Sequence, residues 1–296
     1  MRDKTLALPD GRDIAYTIIG ATDASTAMYF HGAPGSRLDL VNFEEDLTSL
    51  GVRIVSPDRP GYGASSPQPG RHLSDWPADI VALADHLGLG RFAAIGYSSG
   101  GAYAAVAASS LPDRVFGAAI VAGTTDMRWP DAWDGSLSSE PAMRLGDEDA
   151  ATDFYVDLYG ADGARFFDGT GDLAPADTAL FEDQDATAAF LATIAEAFRQ
   201  GVDGFAQDAV VQSRGWPFDP VAVSVPVEVL HGEADTFVPI AHGRHTAEVL
   251  PTATLTTFAD HGHLSIIYEI PELAARLTAS PGTGLGRPVL CRDRTG

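Results

Sequence analysis

The segment Gly96-Tyr97-Ser98-Ser99-Gly100 constrains this chain more than any other, because it sets a serine between an apolar run, Arg91 to Ile95, and a small-residue run, Gly101 to Ala108. That order reads as strand, sharp turn and helix. A serine held at such a turn has a strained backbone and crowded neighbours, and glycines two residues before and after it remove clashes that any Cβ would create. Ser98 is therefore the candidate nucleophile. The same five residues can also mark a plain tight turn in a chain rich in Ala, Gly and Ser, so the motif needs partners elsewhere.

Three further segments supply them. His31-Gly32-Ala33-Pro34-Gly35 follows the apolar stretch Ala27 to Phe30, Asp235 lies just after Val227-Glu228-Val229-Leu230, and His263 follows Ala253 to Phe258. Each sits beyond the end of a predicted strand. In an open parallel sheet the C-terminal ends of the strands share one edge, where residues distant in sequence converge. His261 is a rival for the histidine, and Glu233 and Asp126 are rivals for the acid.

The rest of the chain fits such a sheet. Thr5 to Leu8 and Ile14 to Ile19, separated by Pro9-Asp10-Gly11, read as an opening β-hairpin. Strands Ala27 to Phe30, Val52 to Ser56, Phe92 to Gly96 and Val115 to Ala122 then alternate with helices near Leu38 to Leu50, Trp76 to Leu87 and Gly101 to Leu111. This alternation predicts a parallel sheet covered by helices on both faces. From about Met127 to Pro220 the strand signal stops and the sequence turns acidic and aromatic, with helical stretches at Asp153 to Leu158 and Thr187 to Gln200. Trp129, Trp133, Phe154, Tyr155, Tyr159, Phe166, Phe167 and Phe198 supply its apolar area. The pattern resumes with strand Val225 to Leu230, a helix near Ala241 to Leu250, strand Thr254 to Phe258 and helix Ser265 to Leu277. The expected division is an α/β core over 1–126 and 221–279, a helical cap over 127–220 and a flexible tail over 280–296.

From about Leu6 to Leu277 the chain resembles the α/β-hydrolase fold superfamily. The motifs that carry the resemblance are His31-Gly32-Ala33-Pro34-Gly35, Asp58-Arg59-Pro60-Gly61-Tyr62-Gly63, Gly96 to Gly101 and Gly262-His263. Within the superfamily it is most similar to the serine hydrolases around proline iminopeptidases and related small-molecule esterases, which share an HG-x-PG loop with a G-x-S-x-GG elbow. Proline iminopeptidases typically carry Trp directly after the nucleophile, where this chain has Ser99. The resemblance implies a mostly parallel central sheet flanked by helices, with a helical cap inserted after the sixth strand and covering the site. It also implies a catalytic triad of Ser98, Asp235 and His263. Gly262-His263, with Glu269 and Pro271 beyond it, matches the family's histidine loop, and Asp235 occupies the family's acid position after the seventh strand.

The chemistry follows from what a serine hydroxyl lacks. It is a poor nucleophile at neutral pH, so a neutral imidazole must take its proton, and a carboxylate on the other ring nitrogen fixes the tautomer and stabilises the cation that forms. The tetrahedral intermediate needs donors aimed at its oxygen. Backbone N–H groups of Ala33 and Ser99 are the candidates, because Pro34 has no N–H and only shapes the turn. His31 is expected to shape the oxyanion loop through a backbone hydrogen bond and His231 to do likewise at the acid turn. His72, His86, His242 and His245 read as surface residues, and Arg59 and Tyr62 as structural. The expected activity is cleavage of a small carboxylic ester through an acyl-enzyme. One alternative is an aminopeptidase whose cap carboxylates, drawn from Glu140, Asp147, Glu148 and Asp149, bind a substrate amine. Another is a non-catalytic ligand-binding protein on the same fold. No cofactor or metal is called for, since no G-x-G-x-x-G follows the first strand, no P-loop is present and the histidines lack metal-ligand spacing.

Composition narrows the partners to a small-molecule substrate. A formal charge of -22 opposes nucleic acid and anionic membranes. Met1 to Asp13 is polar and no apolar run is long enough to cross a bilayer, so the expected compartment is the cytoplasm. The lone cysteine, Cys291, has no partner for an internal disulfide. Lys4 is the single lysine, and a high-GC genome would explain arginine in its place, but that exchange does not account for 41 acidic residues. The acid excess reads instead as adaptation to a salty cytoplasm. Thermal stability or activity is then expected to rise markedly between low and molar KCl, and a flat response in a melting experiment removes this reading.

Overall fold

The computed structural model describes residues 2–166 and 173–279. Cys291, Phe167 and the tail expected over 280–296 lie outside the described residues. Strands β1 (Arg2–Ala7), β2 (Asp13–Gly20), β3 (Thr26–Phe30), β4 (Arg53–Pro57), β5 (Phe92–Tyr97), β6 (Val115–Val121), β7 (Val227–Gly232) and β8 (Ala253–Phe258) form one sheet, in the order β1-β2-β4-β3-β5-β6-β7-β8. β2 runs antiparallel to both β1 and β4, and every other pairing is parallel. The helices are α1 (Glu44–Ser49), α2 (Trp76–His86), α3 (Gly100–Ser110), α4 (Glu140–Met143), α5 (Glu148–Tyr159), α6 (Pro175–Ala179), α7 (Gln184–Ala197), α8 (Asp203–Ser213), α9 (Ile240–Val249) and α10 (Ile270–Thr278).

Both faces of the central strands are buried, which is why β3 and β5 read as continuous apolar runs rather than alternating ones. Successive side chains still point to opposite faces. Ala27, Tyr29, Ala93 and Ile95 pack with Leu47 of α1 and Ile270 and Leu273 of α10. Met28, Phe30, Phe92 and Ala94 pack on the other face with Ile80 of α2 and Tyr103 of α3. Small residues along α3, from Ala102 to Ala108, let that helix lie close to the sheet.

Two elements start later than the apolar pattern suggests. The segment expected to be helical from Leu38 opens as a 3₁₀ turn, Val41–Phe43, before α1. Ser265–Glu269 is likewise 3₁₀, and α10 begins at Ile270 with Pro271 in its first turn, where a missing N–H costs nothing.

Between β6 and β7 the described residues are helical, α4 to α8 with short 3₁₀ turns. The acidity of this insert is partly capping chemistry: Asp147 accepts from Ala150 N at the start of α5, and Asp183 from Asp185 N and Ala186 N at the start of α7. Tyr155, Phe198, Phe205 and Val210 of the insert share a cluster with Tyr62 and Val238 of the flanking chain, which docks the insert against the strand ends.

His242 and His245 are not the surface residues expected. Both lie on the face of α9 turned toward Trp129, which stacks on His245 with ring centroids 4.1 Å apart. His242 is buried, with Nδ1 accepting from Thr125 N at 3.3 Å. Burial, aided by the neighbouring His231, lowers its pKa from 6.5 to about 4. Between those values the unfolded chain binds a proton that the folded chain refuses. Stability present at neutral pH is therefore lost as pH falls, by about 2 kcal/mol at pH 5 for this group. Denaturant unfolding at pH 7 and pH 5 should show the wild type losing more stability on acidification than His242→Asn, which keeps an acceptor near Nδ1.

Candidate active site

The segments singled out in the sequence meet at the C-terminal edge of the parallel strands. Ser98 occupies the turn between β5 and α3 with φ of 53°, in the left-handed region that non-glycine residues rarely adopt. Its neighbours permit the turn. A Cβ on Gly96 would stand 2.1 Å from the Gly100 carbonyl oxygen, and a Cβ on Gly100 would stand 2.1 Å from that of Phe30 at the end of β3. Ser98 N donates to Val121 O at 2.8 Å and Gly101 N donates to Ser98 O at 2.9 Å, so the strained residue is held on both sides.

His263, in the loop after β8, places Nε2 at 2.9 Å from Ser98 Oγ and Nδ1 at 2.8 Å from Asp235 Oδ2. All three residues are buried. Nδ1–H donating to the carboxylate leaves Nε2 as the acceptor facing the serine hydroxyl. Asp235, after β7, takes N–H bonds from Phe237 and Val238 on Oδ1, at 2.9 and 2.8 Å. Burial alone would raise its pKa, but the adjacent His263 and His231 hold the carboxyl well below the usual carboxylate range. The imidazole of His263 has two ring neighbours, Tyr97 and Phe237, at centroid distances of 5.4 and 5.2 Å, and Tyr97 Oη donates to the His263 carbonyl at 2.8 Å.

The rivals are engaged elsewhere. Glu233 accepts from Thr257 Oγ1, Asp126 is taken by Arg128 and the Trp216 amide, and His261 pairs with Glu269. His231 donates from Nε2 to Val238 O at 2.8 Å and lies 3.5 Å from Asp235 Oδ2, at the acid turn as expected. His31 donates from Nδ1 to Gly32 O at 2.7 Å and accepts from Arg59 N at Nε2, a pattern that only the neutral ring makes. Burial and the charge of Arg59 push its pKa well down.

A cavity of about 60 Å³ opens beside Ser98, lined by Ala33, Ser99, Thr124, Ser138, Ser139, Met143, Tyr155, Phe205, Asp208, Ala209, Gln212, Phe237, Val238 and His263. It is an order smaller than the sites that hold drug-sized ligands. Of the insert aromatics named from sequence, Tyr155 reaches it, while Tyr159, Phe166 and Phe198 pack on one another and on Phe205, mostly edge-on or tilted. A larger surface groove, about 390 Å³ between Trp129, His245 and Pro220, contains neither the serine nor the histidine.

Sequence reading missed two insert carboxylates. Asp177 of α6 is fully buried and accepts from Ser265 N and Ser265 Oγ, at 2.8 and 2.7 Å, while Ser265 Oγ takes the Gly262 N–H at 2.9 Å. The insert thus grips the loop that carries His263. Asp208 of α8 is also fully buried and lies against Arg59, Arg71, Tyr62 and Tyr103. A faint signal exists for Asp208, the lone charge in Phe205-Ala206-Gln207-Asp208-Ala209-Val210-Val211. Among so many acids, Asp177 has no such mark. Tyr62, buried against Asp208, does not line the cavity.

Comparison with known proteins agrees with this fold. A family model described as alpha/beta hydrolase fold matches residues 28–270. The chain is 30% identical over 288 residues to a non-heme chloroperoxidase of Streptomyces lividans, covering 92% of this chain and 98% of the other. It is 24% identical to a bifunctional esterase/perhydrolase of Acinetobacter calcoaceticus, covering 86% of this chain and 90% of the other. A thermophilic esterase from Thermogutta terrifontis superposes with a TM-score of 0.65 at 21% identity, over 94% of this chain and 100% of that one. With its eight-stranded, mostly parallel sheet, flanking helices and helical insert after β6, the chain belongs to the α/β hydrolase fold family.

Proposed function

We propose that the protein is a serine hydrolase that cleaves small carboxylic esters through an acyl-enzyme on Ser98. The observation that carries this reading is the continuous line from Ser98 Oγ through His263 to Asp235, opening into a cavity walled by Ala33 and Ser99. His263 Nε2 takes the hydroxyl proton as Oγ attacks the ester carbonyl. Asp235 stabilises the imidazolium, and N–H groups of Ala33 and Ser99 receive the oxyanion. The proton then passes to the departing alkoxide, leaving the acyl group on Ser98, and His263 activates a water that releases the acid. In this reading residues 127–220 act as the cap and 1–126 with 221–279 as the core.

The small cavity, bounded by Ser138, Ser139, Thr124 and Gln212 as well as by Met143 and Phe205, suits an acyl group of a few atoms. The aminopeptidase alternative has less support. Glu140 is bound by Arg144, Asp147 caps α5, Glu148 accepts from Gln207, and none of these or Asp149 lines the cavity. Both oxygens of Asp208, which does line it, are occupied. Similarity to the esterase/perhydrolase favours a second use of the same acyl-enzyme, in which hydrogen peroxide replaces water and the product is a peracid.

Wild type should hydrolyse p-nitrophenyl acetate faster than the butyrate and the butyrate faster than the hexanoate, with proline-naphthylamide left uncleaved. Ser98→Ala should lose activity by at least about 10³-fold while remaining folded. Undiminished hydrolysis by Ser98→Ala, or no labelling of Ser98 by a fluorophosphonate, would falsify the serine mechanism. Adding hydrogen peroxide to the acetate ester and assaying peracid tests the second use.

A further inference from the structure

The guanidinium of Arg59 is fully buried, and its bonds converge on Ser99 and on the Gly32–Ala33 peptide, which carry the N–H groups that face the oxyanion in the proposed reaction. Nη2 donates to Gly32 O at 3.1 Å and to Ser99 Oγ at 2.9 Å, and Nη1 donates to the His31 carbonyl. The Gly32 carbonyl and the Ala33 N–H belong to one peptide plane, so whatever grips the oxygen sets the direction of the N–H. That oxygen has two donors, Arg59 Nη2 and His31 Nδ1. Donors on an amide oxygen also polarise the amide and strengthen its N–H as a donor.

Among the residues bonded to Asp208, two guanidiniums face one carboxylate. Asp208 is the carboxylate of this cluster, and it binds Arg59, Arg71, Tyr62 Oη and Tyr103 Oη. Burial opposes its ionisation, but the two guanidiniums overcome that and hold its pKa well below the usual range. Burial keeps His31 neutral and keeps Tyr62 and Tyr103 as phenols. Arg71 alone would balance Asp208. A second buried guanidinium leaves a surplus positive charge, which is costly unless something negative meets it.

We infer that Arg59 is a positioning residue for the oxyanion hole: it orients and polarises the Gly32–Ala33 peptide, holds Ser99, and places its surplus charge behind the oxygen that becomes negative. Asp208, contributed by the insert, anchors it there. The inference rests on the serine-hydrolase reading above.

The test uses the full chain with Arg59→Met and Arg59→Lys. Because Asp208 keeps Arg71, Arg59→Met leaves no unpaired charge, and circular dichroism checks its fold. The probe is a methyl trifluoromethyl ketone, which adds to Ser98 and forms a hemiketal oxyanion, compared with KM and kcat for p-nitrophenyl acetate. Arg59→Met should lower kcat by about ten- to a hundredfold and weaken ketone inhibition by a similar factor, with KM unchanged within about twofold. Arg59→Lys should recover part of both losses. Should Arg59→Met not fold, Arg59→Lys carries the comparison, since one ammonium cannot replace both the Nη1 bond to the His31 carbonyl and the Nη2 bonds to Gly32 O and Ser99 Oγ. A kcat loss with ketone affinity intact, a loss confined to KM, or no loss overturns the role of Arg59 while the hydrolase reading stands. Wild type with neither Ser98-dependent hydrolysis nor ketone inhibition overturns both.

Discussion

The contact on which the site depends is the approach of the α3 N-terminus to the end of β3. At Gly100 the main chain lies so near the Phe30 and His31 carbonyls that a single methyl would stand 2.1 and 2.7 Å from them. That closeness puts the His31 to Gly35 loop beside the Ser98 turn, and so brings Ala33 and Ser99 to one cavity. Gly96 makes the matching concession on the other side of the turn. The strain at Ser98 is then offset by backbone hydrogen bonds to β6 and within the turn.

A second regularity concerns carboxylates. The chain carries many, most of them solvated, yet three aspartates are buried at the site and each is held there by donors or cations. Asp235 has two N–H groups and His263, Asp208 has two guanidiniums and two phenols, and Asp177 has the N–H and hydroxyl of Ser265. A buried carboxylate without such company would be protonated or destabilising. The three are not adjacent in sequence.

This explains how much could be read beforehand. Strands such as β3, β5 and β6 were legible because burial on both faces demands apolar runs, and the meeting of Ser98, Asp235 and His263 was legible because each follows a strand. His31 and His231 were placed correctly from neighbouring glycines and strand ends. The Arg59–Asp208 pair was not legible, since its members stand 149 residues apart and one of them sits in a helix whose packing partner is not encoded locally. The same holds for Asp177, which meets the histidine loop across 88 residues. His242 was misread because an imidazole on a short, polar helix carries no periodic sign of its burial against Thr125 and Trp129. The start of α10 was set by Pro271, whose effect is visible only once the 3₁₀ turn before it is known.

The grip of Asp177 on Ser265 bears on how such a chain diversifies. A segment that merely roofed a finished site could be traded between relatives like a cassette, altering taste without touching competence. Here the insert supplies the clasp for the His263 loop from α6 and a carboxylate for the buried Arg59 from α8. For the proposed hydrolase, substrate preference and turnover would be inherited together. In that case variation that spares turnover would fall at positions such as Ser138, Ser139 and Met143, which line the cavity without bonding to Ser98, His263 or Asp235.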